Sequence, residues 1–194
     1  MTKIMLVCGV PGSGKTTTCK HLQRQGLCWY EPSGERKREI LAELGITTKL
    51  SELDQTASLL INSLYFTELK WTVEYDNLYD TYHDNDNIKW CSKPILVDTH
   101  ASYPVSNSFV RLLPKSFSAS AVILFNAAAD KIRERRISRG RDRDSVSAAF
   151  IEQELDYELQ YAAEYASAKG IPLYAIDNTE SWCYSRLEEI LTAR

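Results

Sequence analysis

The chain has 194 residues, with 23 lysines and arginines against 26 aspartates and glutamates, a formal net charge of −3. That length makes one sizeable core, and 44% hydrophobic with 25% charged residues excludes a disordered or fibrous chain. The near balance of charge gives no bulk reason to bind nucleic acid or a membrane, no apolar run approaches a membrane span, and Cys8, Cys19, Cys28, Cys91 and Cys183 have neither disulfide-framework nor metal-ligand spacing; a reducing cytoplasm is the expected compartment.

The apolar run Ile4–Cys8 predicts a first strand, and Gly9-Val-Pro-Gly-Ser-Gly-Lys-Thr16 follows it at once, opening a helix over Thr16–Gln25. The loop matches G-x-x-x-x-G-K-[ST], the Walker A phosphate loop. Its glycines let backbone N–H groups wrap a phosphate at a helix N-terminus, Lys15 brings a mobile charge to the β- and γ-phosphates, and Thr16 offers a hydroxyl to Mg²⁺. A glycine-rich turn without nucleotide is the competing reading, and the strand–loop–helix context weighs against it.

Leu27–Tyr30 predicts the next strand, and Glu35–Leu44 a helix ending at Gly45. From Ser51 a long helical pattern places Leu53, Ala57, Leu60, Ile61 and Leu64 at helical spacing. Residues 74–86 carry five acids, three tyrosines and no lysine or arginine. Tyr75, Tyr79 and Tyr82 fit a helix face that packs on the body or a second subunit; stacking on an acceptor ring and a Ca²⁺ site from Asp76, Asp80, Asp84 and Asp86 are the alternatives. Further strands are predicted at Ile95–Val97, Ala121–Phe125 and Leu173–Ile176, and helices at Ser147–Lys169, with Ile151, Leu155, Leu159, Ala162 and Ala166 on one stripe, and at Ser181–Leu191. Short apolar strands alternating with helices point to a doubly wound α/β fold with a parallel sheet covered on both faces.

Two further features bear on chemistry. Pro94-Ile-Leu-Val-Asp98-Thr-His100 delivers a carboxylate at the C-terminal end of a strand, the edge where open α/β sheets bind ligands. Asp98 could serve Mg²⁺ or meet the acceptor, or cap a following turn; His100 is as readily structural as functional. Residues 131–143 hold six arginines and one lysine against two acids. Positive groups that close over a transferring phosphoryl supply much of the catalysis of phosphoryl transfer, so this run reads as a lid; a solvated helix face and an RNA-contacting patch are the competing readings.

The loop GVPGSGKTT, the strand PILVDTH, the stretch IRERRISRGRDRD and the late YAIDN together resemble the nucleoside monophosphate kinases, most of all the archaeal-type adenylate kinases. The resemblance implies a P-loop NTPase fold, a five-stranded parallel sheet with helices on both faces, a lid at about 131–147 and a helical acceptor-binding insertion within about 31–92, all in one domain spanning 1–194. It implies ATP and Mg²⁺ as cofactors and transfer of the γ-phosphoryl to a nucleoside monophosphate. Carried onto this chain, Gly9, Pro11, Gly12, Ser13, Gly14, Lys15, Thr16 and Thr17 would hold donor phosphates, with Thr16 and Asp98 at the metal. Arg135 and Arg139 would lie against the donor, Arg141 and Arg143 over the transferring group, and Asp177–Asn178 near the donor base. Ser33, Gly34, Arg36, Gln55, His100 and Arg111 fall on the acceptor side. There the chain departs from the family: Thr47-Thr-Lys-Leu50 lacks the family's arginines, about 20 extra residues precede Pro94, and Ser108-Phe-Val-Arg-Leu-Leu-Pro114 replaces the usual run after DTH. A P-loop kinase acting on a nucleoside, small metabolite or RNA 5′-hydroxyl, with Asp98 as base, and a nucleotide-dependent RNA-associated ATPase module are therefore carried alongside.

Overall fold

Every residue of the first strand, β1 (Ile4–Cys8), is buried, which only a sheet covered on both faces allows. The computed structural model describes residues 3–82, 93–105, 108–138, 147–179 and 183–192. After β1 come α1 (Lys15–Arg24), β2 (Trp29–Pro32), α2 (Ser33–Glu43), a short 3₁₀ turn (Leu50–Glu52), α3 (Gln55–Tyr82), β3 (Ile95–Asp98), β4 (Ser102–Val105), β5 (Ser108–Arg111), β6 (Ala121–Asn126), α4 (Ala129–Ile137), α5 (Ala148–Lys169), β7 (Leu173–Asp177) and α6 (Cys183–Thr192). Five strands form one parallel sheet in the order β2-β3-β1-β6-β7, and β4 pairs antiparallel with β5 outside it. The expected doubly wound α/β architecture is the observed one.

Alternation along β1 divides the core. Ile4, Leu6 and Cys8 face one cluster with Val97, Val122 and Leu124, covered by Ile40 and Leu41 of α2, Ile61, Tyr65 and Phe66 of α3, and Ala162, Tyr165 and Ala166 of α5. Met5 and Val7 face the other with Leu96, Ile123 and Ile176, covered by Cys19 and Leu22 of α1 and Leu187, Ile190 and Leu191 of α6. The described cysteines Cys8, Cys19, Cys28 and Cys183 are free and buried, and burial pushes all four thiols up. Among the described residues no helix is long and apolar enough to cross a membrane.

Several expectations shift. β2 begins two residues later than its apolar run, pairs with β3 along its whole length from Trp29 to Pro32, and passes directly into α2 at Ser33. On α3 the buried face is Ile61, Asn62, Tyr65, Phe66 and Leu69, while Leu60 and Leu64 are exposed; aromatic packing and the bond from the Asn62 amide to the Leu112 carbonyl set its rotation. On α5 the buried face carries Glu154 and Glu158 with Ile151 and Ala162, and Leu159 is exposed. Carboxylates take core positions there because each has a buried partner. Ser147 and Gly170 do bound that helix, the serine accepting from the Phe150 amide at 3.3 Å and the glycine at φ +63°. The α3 backbone is helical to Tyr82; residues 83–92, with Asp84, Asp86 and Cys91, lie outside the described residues.

Truncating Ile123 to alanine, at a fully buried site, is expected to lower unfolding free energy by about 2–5 kcal/mol in urea titration, whereas Leu60→Ala on the exposed side of α3 changes it by about 0.5 kcal/mol or less.

Candidate active site

β1 ends and α1 begins within seven residues, so the chain between them must turn sharply enough to aim the first amides of α1 outward. Gly9 and Gly14 make this possible. Both have positive φ, +142° and +95°; a Cβ on Gly9 would lie 2.6 Å from the Phe125 carbonyl oxygen, and one on Gly14 would strike the Asn178 amide. The N–H groups of Lys15, Thr16 and Thr17, in the first turn of α1, have no acceptor within their own helix and sit at its positive dipole end. The Ser13 hydroxyl is buried with no hydrogen-bond partner among the described residues. This is a cradle for phosphate.

Lys15 is buried and its ammonium crosses the loop to the Gly9 carbonyl, 3.8 Å from Oδ1 of Asp98. The other carboxylate oxygen, Oδ2, accepts from the Thr16 hydroxyl at 2.6 Å and the Tyr30 hydroxyl at 3.0 Å. Parallel pairing puts Asp98 level with Val7 of β1 and Pro32 of β2, which is why the carboxylate emerges beside the loop. The Thr16 hydroxyl and the Asp98 carboxylate, both oxygen donors and already in contact, fit a hard divalent cation such as Mg²⁺, which retains water and phosphate oxygens for its remaining positions.

Behind the loop lies Glu158, 1% exposed. Its Oε1 accepts from the Gly9 and Ala101 amides at 2.7 and 2.8 Å, and its Oε2 from the Ser102 amide and hydroxyl at 2.8 and 2.7 Å. His100 Nδ1 is 4.0 Å from the same carboxylate. Burial, reinforced by the charges of Lys15 and Lys37, holds the His100 imidazole well below its ordinary value, so it is neutral at neutral pH and this contact is not an ion pair.

Arg135, Arg136 and Asn178 brace the loop. Arg135 donates to the Gly12 carbonyl at 3.3 Å and the Asn178 carbonyl at 2.8 Å, and the Asn178 amide donates to the Ser13 carbonyl at 2.6 Å. Arg136, 4% exposed, donates to the Pro11 carbonyl at 2.8 Å and pairs with Glu154 at 2.8 Å. Arg139, Arg141 and Arg143 lie outside the described residues.

The residues expected on the acceptor side are more dispersed. Ser33 is buried at the start of α2, with Gly34 next to it, and Gln55 is exposed at the start of α3, whose first turn Asp54 caps through the Ala57 amide at 2.8 Å. Arg36 is not directed at the loop: it is held by Glu39, Glu43 and Glu68 at 2.9, 2.8 and 2.7 Å. Arg111 is likewise taken, exposed on β5 with Glu164 at 2.6 Å and its guanidinium 4.8 Å from the Tyr161 ring centre. Next to Arg36, Lys37 is buried against Tyr65 and Phe66, and burial pushes its ammonium down to about 8, with the Asp98 charge opposing. Burial, with Glu39 and Glu68 adding to it, pushes the Glu31 carboxyl up. Sequence reasoning missed Glu158, Arg136, Tyr30 and Lys37. The spacing of Glu154 and Glu158 with Ile151 and Ala162 was the available signal for the α5 carboxylates.

Strand, phosphate loop, helix and a strand-end carboxylate on a central parallel sheet define the class: a P-loop NTPase of the α/β type. Comparison with known proteins makes it more specific. The family model described as "AAA domain" matches residues 5–155, and the chain belongs to that family. It is also similar to the adenylate kinase of Methanothermobacter thermautotrophicus (strain Delta H), 23% identical over 193 residues that cover 97% of each chain.

Glu158→Ala would leave three backbone amides without their acceptor, and is expected to lower unfolding free energy by about 3 kcal/mol or more, read from the urea midpoint. The folded chain resists protonation of His100, whereas the unfolded chain takes up that proton near pH 6.5. Stability is therefore expected to fall as pH drops from 6.5 towards 5, and His100→Gln to flatten that slope in denaturation curves collected across the window.

Proposed function

We propose that the chain is an ATP- and Mg²⁺-dependent phosphotransferase of the nucleoside monophosphate kinase type. The observation that carries this reading is the convergence of Lys15, Thr16 and Asp98 at the mouth of the phosphate loop, beside the start of α2. The likeness to an archaeal adenylate kinase along nearly the whole chain supports it.

In this reading the amides of the loop and first turn bind the donor phosphates, and Lys15 moves from the Gly9 carbonyl to the phosphoryl oxygens. Thr16 and Asp98 would hold Mg²⁺, which neutralises charge on the β- and γ-phosphates when bound. Tyr30 orients Asp98 through its hydrogen bond. Arg135 and Arg136 act on the loop rather than on the donor, fixing its carbonyls so that its amides face the phosphates. α4, which carries both, leads into the run containing Arg139, Arg141 and Arg143. That run supplies the positive charge the transferring group requires, and the segment from α2 through α3 supplies the acceptor side.

A second reading, transfer to a hydroxyl with Asp98 as base, is favoured by one observation: Arg36, on the acceptor side, is already neutralised by three carboxylates.

ADP production from ATP, measured with a panel of nucleoside monophosphates, nucleosides and 5′-hydroxyl RNA, separates these readings. At least one monophosphate is expected to raise turnover well above bare hydrolysis. A panel in which none does refutes the monophosphate kinase. Lys15→Ala is expected to abolish turnover, and Arg141→Ala to slow transfer by about 10³-fold while ATP binding persists.

A further inference from the structure

Helix α2 carries three consecutive cations, Arg36, Lys37 and Arg38, and the fold sends them to different places. Arg36 is neutralised by Glu39, Glu43 and Glu68. Arg38 is exposed. Lys37 turns inward: it is 8% exposed, its Nζ lying 5.2 Å from the ring centre of Tyr65 and 6.0 Å from that of Phe66. The ammonium thus lies against two ring faces. Ring faces recover only part of the hydration that a buried ammonium loses.

Position makes this more than a packing accident. Pro32, the last residue of β2, is level with Asp98, and α2 starts at the next residue. Ser33 and Lys37, one turn apart and both buried, share the inward face of α2. Lys37 lies within electrostatic reach of Asp98, and acts together with Lys15 on His100. Two lysines from two helices therefore approach the same end of β1 and β3, one from the loop and one from the acceptor side. The Tyr65 hydroxyl, beneath Lys37, is buried without a hydrogen-bond partner among the described residues.

We propose that Lys37 recognises the negative charge of the acceptor, so that the site selects a phosphate monoester over a compound offering only a hydroxyl. This rests on the kinase reading and deepens it. Transfer between two phosphates brings like charges together, and a lysine on each side offsets that repulsion. An oxygen of the acceptor phosphate forms the new bond to the γ-phosphorus as the bond to the ADP oxygen breaks. A dianionic acceptor needs no base for this step, which leaves Asp98 to its metal role.

Calorimetric titration of AMP, CMP, GMP and UMP, each beside its nucleoside, into wild type, Lys37→Met, Lys37→Gln and Lys37→Arg tests the assignment without requiring turnover. At least one monophosphate is expected to bind wild type more tightly than its nucleoside. Lys37→Met and Lys37→Gln should weaken that binding about 10- to 100-fold and leave nucleoside affinity unchanged, with Lys37→Arg restoring much of the loss. Relieved of a buried charge, ligand-free Lys37→Met should melt at the same temperature as wild type or higher. Monophosphate binding that survives loss of the charge overturns the proposal, as does a wild type with no preference for monophosphates. A lowered ligand-free melting point accompanied by equal losses for monophosphate and nucleoside also overturns it, since that is the pattern of a packing residue. Failure of the kinase reading shows elsewhere, as monophosphates that bind through Lys37 but are not phosphorylated.

Discussion

A carboxylate in the interior holds this site together. Glu158 is removed from water, a costly position for a charge, and stays there because three amides and a hydroxyl converge on its two oxygens. Those donors come from the first residue of the phosphate loop, from Ala101 in the turn that follows β3, and from Ser102, which opens β4. One side chain of α5 thus fixes the end of β1 relative to the end of β3, and with them the approach of Lys15 and Thr16 to Asp98. One turn earlier on the same face, Glu154 engages Arg136, which in turn holds the Pro11 carbonyl. The rear wall of the loop is therefore anionic while its open face is cationic, and the polarity of the cradle arises from this division.

Along α2 the chain handles its charges differently. The three carboxylates around Arg36 consume a cation that its position would otherwise make available. Glu31, half-buried nearby, adds negative potential, and Lys37 is the inward-facing base of α2. The same helix therefore displays an occupied ion-pair network outward and an ammonium facing aromatic rings inward.

How much of this was legible in the sequence depends on the range of the interaction concerned. The phosphate loop, its strand and its helix are local, so glycine chemistry and hydrophobic period suffice to read them. The parallel sheet follows from runs such as Ile4–Cys8 and Ala121–Phe125, which lack the alternation of a half-wet strand. Helix rotation was misread where the core accepts polar groups: a pattern that counts only apolar residues puts Leu159 and Leu60 inside, whereas α5 buries glutamates and α3 turns on Asn62 and Tyr65. The ladder of β4 and β5 was not foreseen because each strand has four residues and β4 contains Pro104. Arg36 and Arg111 were placed by type and position, but only the fold reveals that nearby carboxylates already occupy them.

The loop's hydrogen bonds also bear on how the protein is made. Gly9 is held by a residue 149 positions later, and the Ser13 carbonyl by one 165 positions later. A ribosome makes the nucleotide motif well before its supports, which exist only once α5 and then Asn178 have emerged. During synthesis the loop is a short glycine-rich linker beside an unfinished sheet. Its phosphate-binding shape is completed only after α5 and Asn178 have been made, so a nascent chain that stalls before Asn178 carries the whole motif but lacks the brace that shapes it.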